Sequence, residues 1–350
     1  MMKRNFFDLK LSDLSGVLSD MDPKPFRLGQ VLRWAYVMGA DGFDLMTDMP
    51  KDLRDKLDEV LDLSPMAVLD ELRSRDGSVK WLYGLHDGEL VESVMIREEG
   101  HNTLCVSTQA GCGMGCTFCE TATVGLRRNL SLGEITAQVA YAIRTLEGRN
   151  RLRNLVFMGM GEPLKNLDAL VPALENILDP SGFDYSPRRV TVSTCGWVPG
   201  IVRLAKEGLG VNLAISLNAP DDSIRDLLMP VNRKYPLAQL MEAVRAYPLR
   251  PRQRITFEYV IIGGINDSDE HALKVAGLLR GIPSKINLIS YNETSARFRK
   301  PEEGRIEGFQ RVLLSRGCLA TIRRSRGEEI GAACGQLRAL SKGTVHAGEK

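Results

Sequence analysis

From about residue 100 onward, short apolar runs alternate with amphipathic segments, and nothing else in the chain restricts its fold so strongly. Strands are expected at Thr103–Thr108, Asn154–Met158, Val190–Thr194, Val211–Ser216, Arg254–Ile262, Lys285–Ile289 and Ala320–Arg323. Between them, apolar residues recur at helical spacing over Asp168–Leu178, Pro199–Lys206, Leu237–Ala246, Ser268–Leu279 and Arg305–Ser315. Ser131 followed by Glu134 forms a capping box for a helix running through Ile143. Parallel strands need a long crossover, usually a helix, so this alternation predicts βαβ units. Six such units over ~230 residues approach the size of a TIM-type barrel. The expected class is α/β, a partial (β/α)6 TIM-type barrel with its chemistry at the C-terminal ends of the strands.

Residues 1–90 read differently. Pro25–Ala40 and Lys51–Leu61 have helical spacing, and Trp81–Ile96 reads as one or two short strands. A small N-terminal helical accessory domain over 1–90 is expected, then a barrel over 91–343 and a tail over 344–350.

Composition excludes several classes. With 43% hydrophobic and 26% charged residues the chain is not a disordered one. It lacks an uncharged apolar run of ~18 residues, so no membrane span is expected. The N-terminus, MMKRNFFDLKLSDL, lacks the apolar core of a signal peptide, which points to the cytoplasm. A net charge of +2 neither announces nor excludes nucleic acid. Seven cysteines without a secretion signal favour metal binding or redox chemistry over a disulfide scaffold.

Three of those cysteines fall within eight residues, Cys112-Gly-Met-Gly-Cys116-Thr-Phe-Cys119, just after a strand. A structural zinc site normally has four ligands, and no second CxxC pair or nearby His accompanies these three. Three cysteines suit a [4Fe–4S] cluster with one iron left open.

Further motifs carry a resemblance. Thr103-Leu-Cys105-Val-Ser-Thr-Gln-Ala-Gly-Cys112, Arg128-Asn-Leu130, Met158-Gly-Met-Gly-Glu-Pro-Leu164 and Arg189-Val-Thr-Val-Ser-Thr194 come first. Ile215-Ser-Leu217, Pro230-Val-Asn232, Lys285-Ile-Asn-Leu-Ile289 and Ala333-Cys-Gly-Gln-Leu337 follow. Together with the CxxxCxxC motif these resemble the RlmN/Cfr family of radical S-adenosylmethionine (SAM) RNA methyltransferases over nearly the whole chain.

The resemblance implies a radical-SAM barrel, one [4Fe–4S] cluster on Cys112, Cys116 and Cys119, and two SAM molecules per turnover. Its target is an adenine ring carbon, C2 or C8, too poor a nucleophile for direct attack on the SAM methyl. The family route makes Cys334 the methyl carrier. A 5′-deoxyadenosyl radical activates that methyl, the product adds to adenine, and Cys105 releases it by a transient disulfide with Cys334. Glu92, thirteen residues before Cys105, matches the family's proton acceptor. SAM contacts carry over to Gly161, Glu162, Ser193, Ser216, Asn218 and Asn292. Asn218 stands where His is frequent, and Tyr291 where one branch has Trp. Cys195 and Cys318 match no family role and read as packing. Taken alone, Cys105 and Cys334 would read as core cysteines and Glu92 as a solvated carboxylate.

The implied product is 2-methyladenine in 23S ribosomal RNA, with tRNA a further substrate; C8 methylation and another RNA target are the alternatives. A radical-SAM enzyme of other purpose and a zinc-stabilised RNA-binding protein are the readings from outside this chemistry. An electron donor such as flavodoxin or ferredoxin is expected, and a monomer. Candidate RNA contacts are Arg127-Arg128, Arg149–Arg153, Arg188-Arg189, Arg297–Lys300 and Arg323-Arg324-Arg326. Lys24, Arg27, Arg33 and Lys51 offer a second basic surface.

Overall fold

The computed structural model describes residues 3–22, 24–146, 152–294 and 296–339. At the N-terminus Arg4–Asn5 (β1) is followed by helices Leu11–Met21 (α1), Phe26–Leu32 (α2) and Lys51–Val60 (α3). Leu61–Asp62 (β2) returns to pair in parallel with β1. Helix α2 runs on into wider turns over Arg33–Val37. Phe6, Phe7, Tyr36 and Phe43 bury together in this segment. The Tyr36 ring meets Phe183 edge-on at 4.6 Å, tying the segment to the main body.

Next come Ala67–Arg73 (β3), Val79–Gly84 (β4), Leu90–Glu98 (β5) and His101–Cys105 (β6). A small hairpin of Gln109–Gly111 (β7) and Leu126–Asn129 (β8) encloses Glu120–Val124 (α4). The rest alternates: Leu132–Arg144 (α5), Leu152–Phe157 (β9), Leu167–Leu178 (α6), Val190–Thr194 (β10), Val198–Glu207 (α7) and Asn212–Ser216 (β11). Asp222–Leu228 (α8), Leu237–Ala246 (α9), Ile255–Ile261 (β12), Asp269–Leu279 (α10), Ser284–Ser290 (β13), Arg305–Ser315 (α11) and Ala320–Arg323 (β14) complete it.

Among the described residues, ten strands form one sheet in the order β14-β13-β12-β11-β10-β9-β6-β5-β4-β3. From β6 to β14 every pairing is parallel, while β3 to β6 pair antiparallel. The parallel order never reverses. Right-handed crossovers that always advance in one direction put all their helices on one face. Accordingly α5 touches α6, α6 touches α7, and α10 touches α11. The opposite face is left to line a site, as in a barrel rather than a doubly wound sheet. Six helical crossovers join the seven parallel strands, the (β/α)6 arrangement expected from the sequence.

Ser131 accepts from the Glu134 N–H at 3.2 Å and its own N–H donates to Glu134 Oε2 at 2.9 Å, the expected capping box. Glu134 also accepts from both terminal nitrogens of the Arg128 guanidinium, at 2.7 and 2.8 Å. Arg128 is therefore committed to a fixed pair rather than free for phosphate.

Other parts of the basic surface need correction. Arg27 is buried and paired with Asp22 at 3.0 Å, so it offers RNA nothing, while Lys24, Arg33 and Lys51 are exposed. Lys300 is paired with Glu328 at 2.6 Å. Arg153 and Arg188-Arg189 lie at the N-terminal ends of β9 and β10, opposite the end predicted to carry chemistry. Arg149 and Arg151, like the 344–350 tail, lie outside the described residues.

Candidate active site

The C-terminal strand ends open into one cleft. It is lined by Cys112, Cys116 and Cys119 from the connection after β6, and by Gly161 and Glu162 after β9. Ser193 is the penultimate residue of β10, Ser216 ends β11, Asn218 follows it, and Asn292 follows β13; all four line the same cleft.

The three clustered thiols are free of disulfides. Burial pushes each of them up, Cys112 to about 12, and the neighbouring sulfurs raise Cys112 and Cys116 further. Cationic metal reverses that balance, since a coordinating thiol loses its proton. As the side chains stand, no three His, Cys, Asp or Glu among the described residues are grouped closely enough to grip a metal. The loop's donor set is all sulfur, the set iron–sulfur clusters take.

Gly161 has φ +99°, and a Cβ there would sit 2.5 Å from Gln109 Cβ, so only glycine fits. Glu162 is buried. Its carboxylate accepts from the Leu164 N–H at 3.1 Å and the Cys195 N–H at 2.8 Å. Burial raises its pKa, with those hydrogen bonds opposing. Cys195, read as packing, is indeed buried but also lines the cleft.

Asn218 has φ +55°, a left-handed position that Asn tolerates well. Its side-chain oxygen accepts from the Val260 N–H at 2.9 Å. This shapes the loop after β11 and gives a conformational reason for Asn there. Arg225, wholly buried, donates to the carbonyls of Leu217 at 3.2 Å and Cys195 at 2.6 Å, and to Asn232 at 2.9 Å. It locks the turns after β10 and β11 together. Sequence reading passed over it: no helix was expected over 222–228, and nothing local marks this arginine as buried.

Glu258 was also missed, although a carboxylate inside the apolar run of β12 is a visible signal. It pairs in register with Ser216 on one side and Asn287 on the other. Asn287 donates to its Oε1 at 2.9 Å, while its Oε2 is buried in the cleft wall without a hydrogen-bond partner. Such an acceptor costs roughly 1–3 kcal/mol until a donor arrives. SAM brings ribose hydroxyls and an ammonium group, so the cleft fits it.

A second cavity adjoins the first and is lined by Cys105, Arg323, Arg324, Arg326 and Cys334. Cys334 and Arg323 border both cavities. Cys334 is exposed and Cys105 buried, and no disulfide joins them. Burial, helped by the Cys334 sulfur, pushes Cys105 up to about 12, against the Arg323 charge. The Cys334 carbonyl accepts from Asn292 Nδ2 at 3.0 Å, the Gly335 carbonyl from the Glu120 N–H at 2.7 Å, and the Leu337 carbonyl from Thr121 Oγ1 at 2.7 Å. The segment carrying Cys334 thus rests on the helix that follows the cysteine loop.

Glu92 is not brought to either cavity. It is buried on β5, where Oε1 pairs with Lys80 at 3.0 Å. Its Oε2 accepts from the Arg338 and Ala339 N–H groups at 2.9 and 3.0 Å.

Comparison with known proteins gives this geometry a family. A profile described as the radical SAM superfamily matches residues 106–276, and one described as the ribosomal RNA large subunit methyltransferase N-terminal domain matches residues 4–63. The chain is 50% identical over 333 residues to the dual-specificity RNA methyltransferase RlmN of Anaeromyxobacter dehalogenans, covering 93% of this chain and 89% of that protein. The chain belongs to the RlmN family. An RlmN protein of the same description from Syntrophotalea carbinolica is 50% identical over 339 residues, 95% of this chain and 89% of its own length. A crystal structure of a radical SAM methyltransferase from Sphaerobacter thermophilus superposes with a TM-score of 0.91 at 44% identity, over 96% of this chain and 100% of that one. The fold is thus the α/β radical SAM fold with an RlmN N-terminal domain, and the enzyme is a radical SAM RNA methyltransferase. Membership of that superfamily implies a [4Fe–4S] cluster and SAM. Among the described residues no helix is long and apolar enough to cross a membrane.

Proposed function

We propose that the chain methylates C2 of an adenine in 23S ribosomal RNA and in tRNA, with Cys334 as the methyl carrier. The observation that carries this reading is the position of Cys334 at the junction of two cavities, one lined by the SAM-site residues and one by Cys105. The dual target is taken over from the description of the relatives. Residues 1–90 serve as the accessory, RNA-contacting domain and 91–343 as the catalytic barrel.

Cys112, Cys116 and Cys119 would hold the cluster, which when bound would supply the electron for reductive cleavage of SAM. A small electron-transfer protein such as flavodoxin or ferredoxin would be its partner. Gly161, Glu162, Ser193, Ser216, Asn218 and Asn292 position SAM, and Glu258 adds an acceptor beside them.

The protein's own steps follow from the environments of its side chains. Cys334, exposed among Ala332, Ala333 and Gly335, attacks a methyl group with little steric obstruction. Arg323 borders the same cavity. Cys105 stays protonated while buried, which keeps it from closing a premature disulfide. Once RNA is joined to Cys334, Cys105 attacks that sulfur and releases the methylated base. Glu92 takes the ring proton after exchanging its present partners. Arg324 and Arg326, exposed at the mouth, meet the RNA backbone. The target base leaves its stack to reach the cavity.

The test is an anaerobic assay with reconstituted protein, methyl-labelled SAM, reductant and RNA, followed by nucleoside mass spectrometry. 2-Methyladenosine is the expected product; 8-methyladenosine, or none despite SAM cleavage, overturns the assignment.

A further inference from the structure

Residues 64–105 fall between the two matched family segments, and they contain further anchors of the Cys334 segment beside Glu120, Thr121 and Asn292. The tip of the β3–β4 hairpin grips the start of that segment. Glu329 accepts from the Arg75 N–H at 2.7 Å, and Asp76 accepts from the Gly327 N–H at 2.9 Å. Further along β4, Lys80 Nζ donates to the Gly331 carbonyl at 3.1 Å and pairs with Glu92 at 3.0 Å. Glu92 in turn accepts the N–H groups of Arg338 and Ala339. One ion pair therefore holds the chain three residues before Cys334 and again four and five residues after it.

The pair is expensive to build. The Lys80 and Glu92 side chains are 12% and 6% exposed, and charges so far from water are retained only with close partners. Here each charge spends its remaining hydrogen bonds on the Cys334 segment and not on the barrel. An apolar pair of similar volume would fill the space without fixing the loop.

We propose that Lys80 is a positioning residue for methyl transfer: its ammonium, through Gly331 and Glu92, fixes both ends of the loop that presents Cys334. This rests on Cys334 being the methyl carrier. It also deepens the account of Glu92, which holds the loop while Cys334 is loaded and is freed for proton transfer only when Arg338 and Ala339 let go. Lys80 touches no reacting atom.

The experiment compares full-length, cluster-reconstituted wild type with Lys80→Met, Lys80→Arg and Asp76→Ala. Three readouts are taken: the rate of Cys334 methylation by labelled SAM using peptide mass spectrometry, 5′-deoxyadenosine formed per methyl delivered to RNA, and amide exchange at Arg338 and Ala339. Lys80→Met is expected to slow Cys334 methylation by about 10- to 100-fold, the cost of misplacing a reacting group. Cluster content should be unchanged, deoxyadenosine per methyl should rise, and both amides should exchange faster. Lys80→Arg should restore much of each. Asp76→Ala, at the hairpin turn away from the core, should shift the same ratio less and covers the case in which Lys80→Met does not fold. Wild-type methylation rates and amide protection in Lys80→Met, or in Asp76→Ala if that is the only variant to fold, overturn the clamp. An unmethylated Cys334 in wild type instead overturns the carrier assignment, and amide exchange then still decides whether Lys80 holds the loop.

Discussion

The side-chain amide of Asn292 donates to the backbone carbonyl of Cys334 at 3.0 Å, joining a residue of the cleft at the strand ends directly to the segment that carries the exposed thiol. Asn292 Oδ1 accepts from Ser325 at 2.7 Å, so the amide cannot turn away without losing both bonds. With SAM bound as proposed, occupancy of the cleft and placement of Cys334 would be coupled through one side chain. Asn292→Ala should weaken SAM binding and also slow Cys334 methylation at saturating SAM. Titration of SAM with a methylation readout separates the two; an effect on affinity alone would break the coupling.

The two cysteines should fail in different ways. Cys334→Ala should abolish RNA methylation and leave no covalent protein–RNA species. Cys105→Ala should accumulate that species, visible as a shifted band on a denaturing gel. Normal turnover by Cys105→Ala would remove the resolving step.

Buried thiols set a pH limit. Cys105 is held up to about 12 and Cys195 well above its ordinary value of 9.0. Above about pH 9 the unfolded chain releases these protons while the folded chain keeps them, so folding stability present at lower pH is lost as pH climbs toward 12. Melting temperature of metal-free protein should fall steadily over that range. A flat profile would mean that the thiols are not shielded as described.

Arg225→Ala should be among the most damaging single changes outside the chemistry. It strands the carbonyls of Leu217 and Cys195 in a buried site, at a cost of about 3–5 kcal/mol, measurable by chemical denaturation. A loss below about 1 kcal/mol would show that water or rearrangement replaces the guanidinium.

Much of the barrel was legible because buried parallel strands are rich in apolar residues, as at Ile255–Ile261, and such runs stand out between helices. The edge strand β3 was not, since its Ala67–Arg73 sequence is largely exposed and carries acidic residues. The β7–β8 hairpin was hidden by brevity. Site residues placed at strand ends came together in the cleft, because a strand end in the sequence is also a strand end in space. Glu92 shows the limit: its partners Arg338 and Ala339 lie 246 and 247 residues away, and nothing local announces them. Lys80 goes unmarked in the sequence for the same reason: its partner Gly331 lies 251 residues away.

The central claim is that Cys334 carries the methyl group from SAM to adenine. The most direct measurement uses SAM with a deuterated methyl group, one round of turnover, and mass spectrometry of both the Cys334 peptide and the RNA nucleosides. The account predicts label on Cys334 before RNA is added, and afterwards a 2-methyladenosine that has lost one deuterium from its methyl group. A product that keeps all three deuterons, or a Cys334 peptide that never carries label, would contradict it.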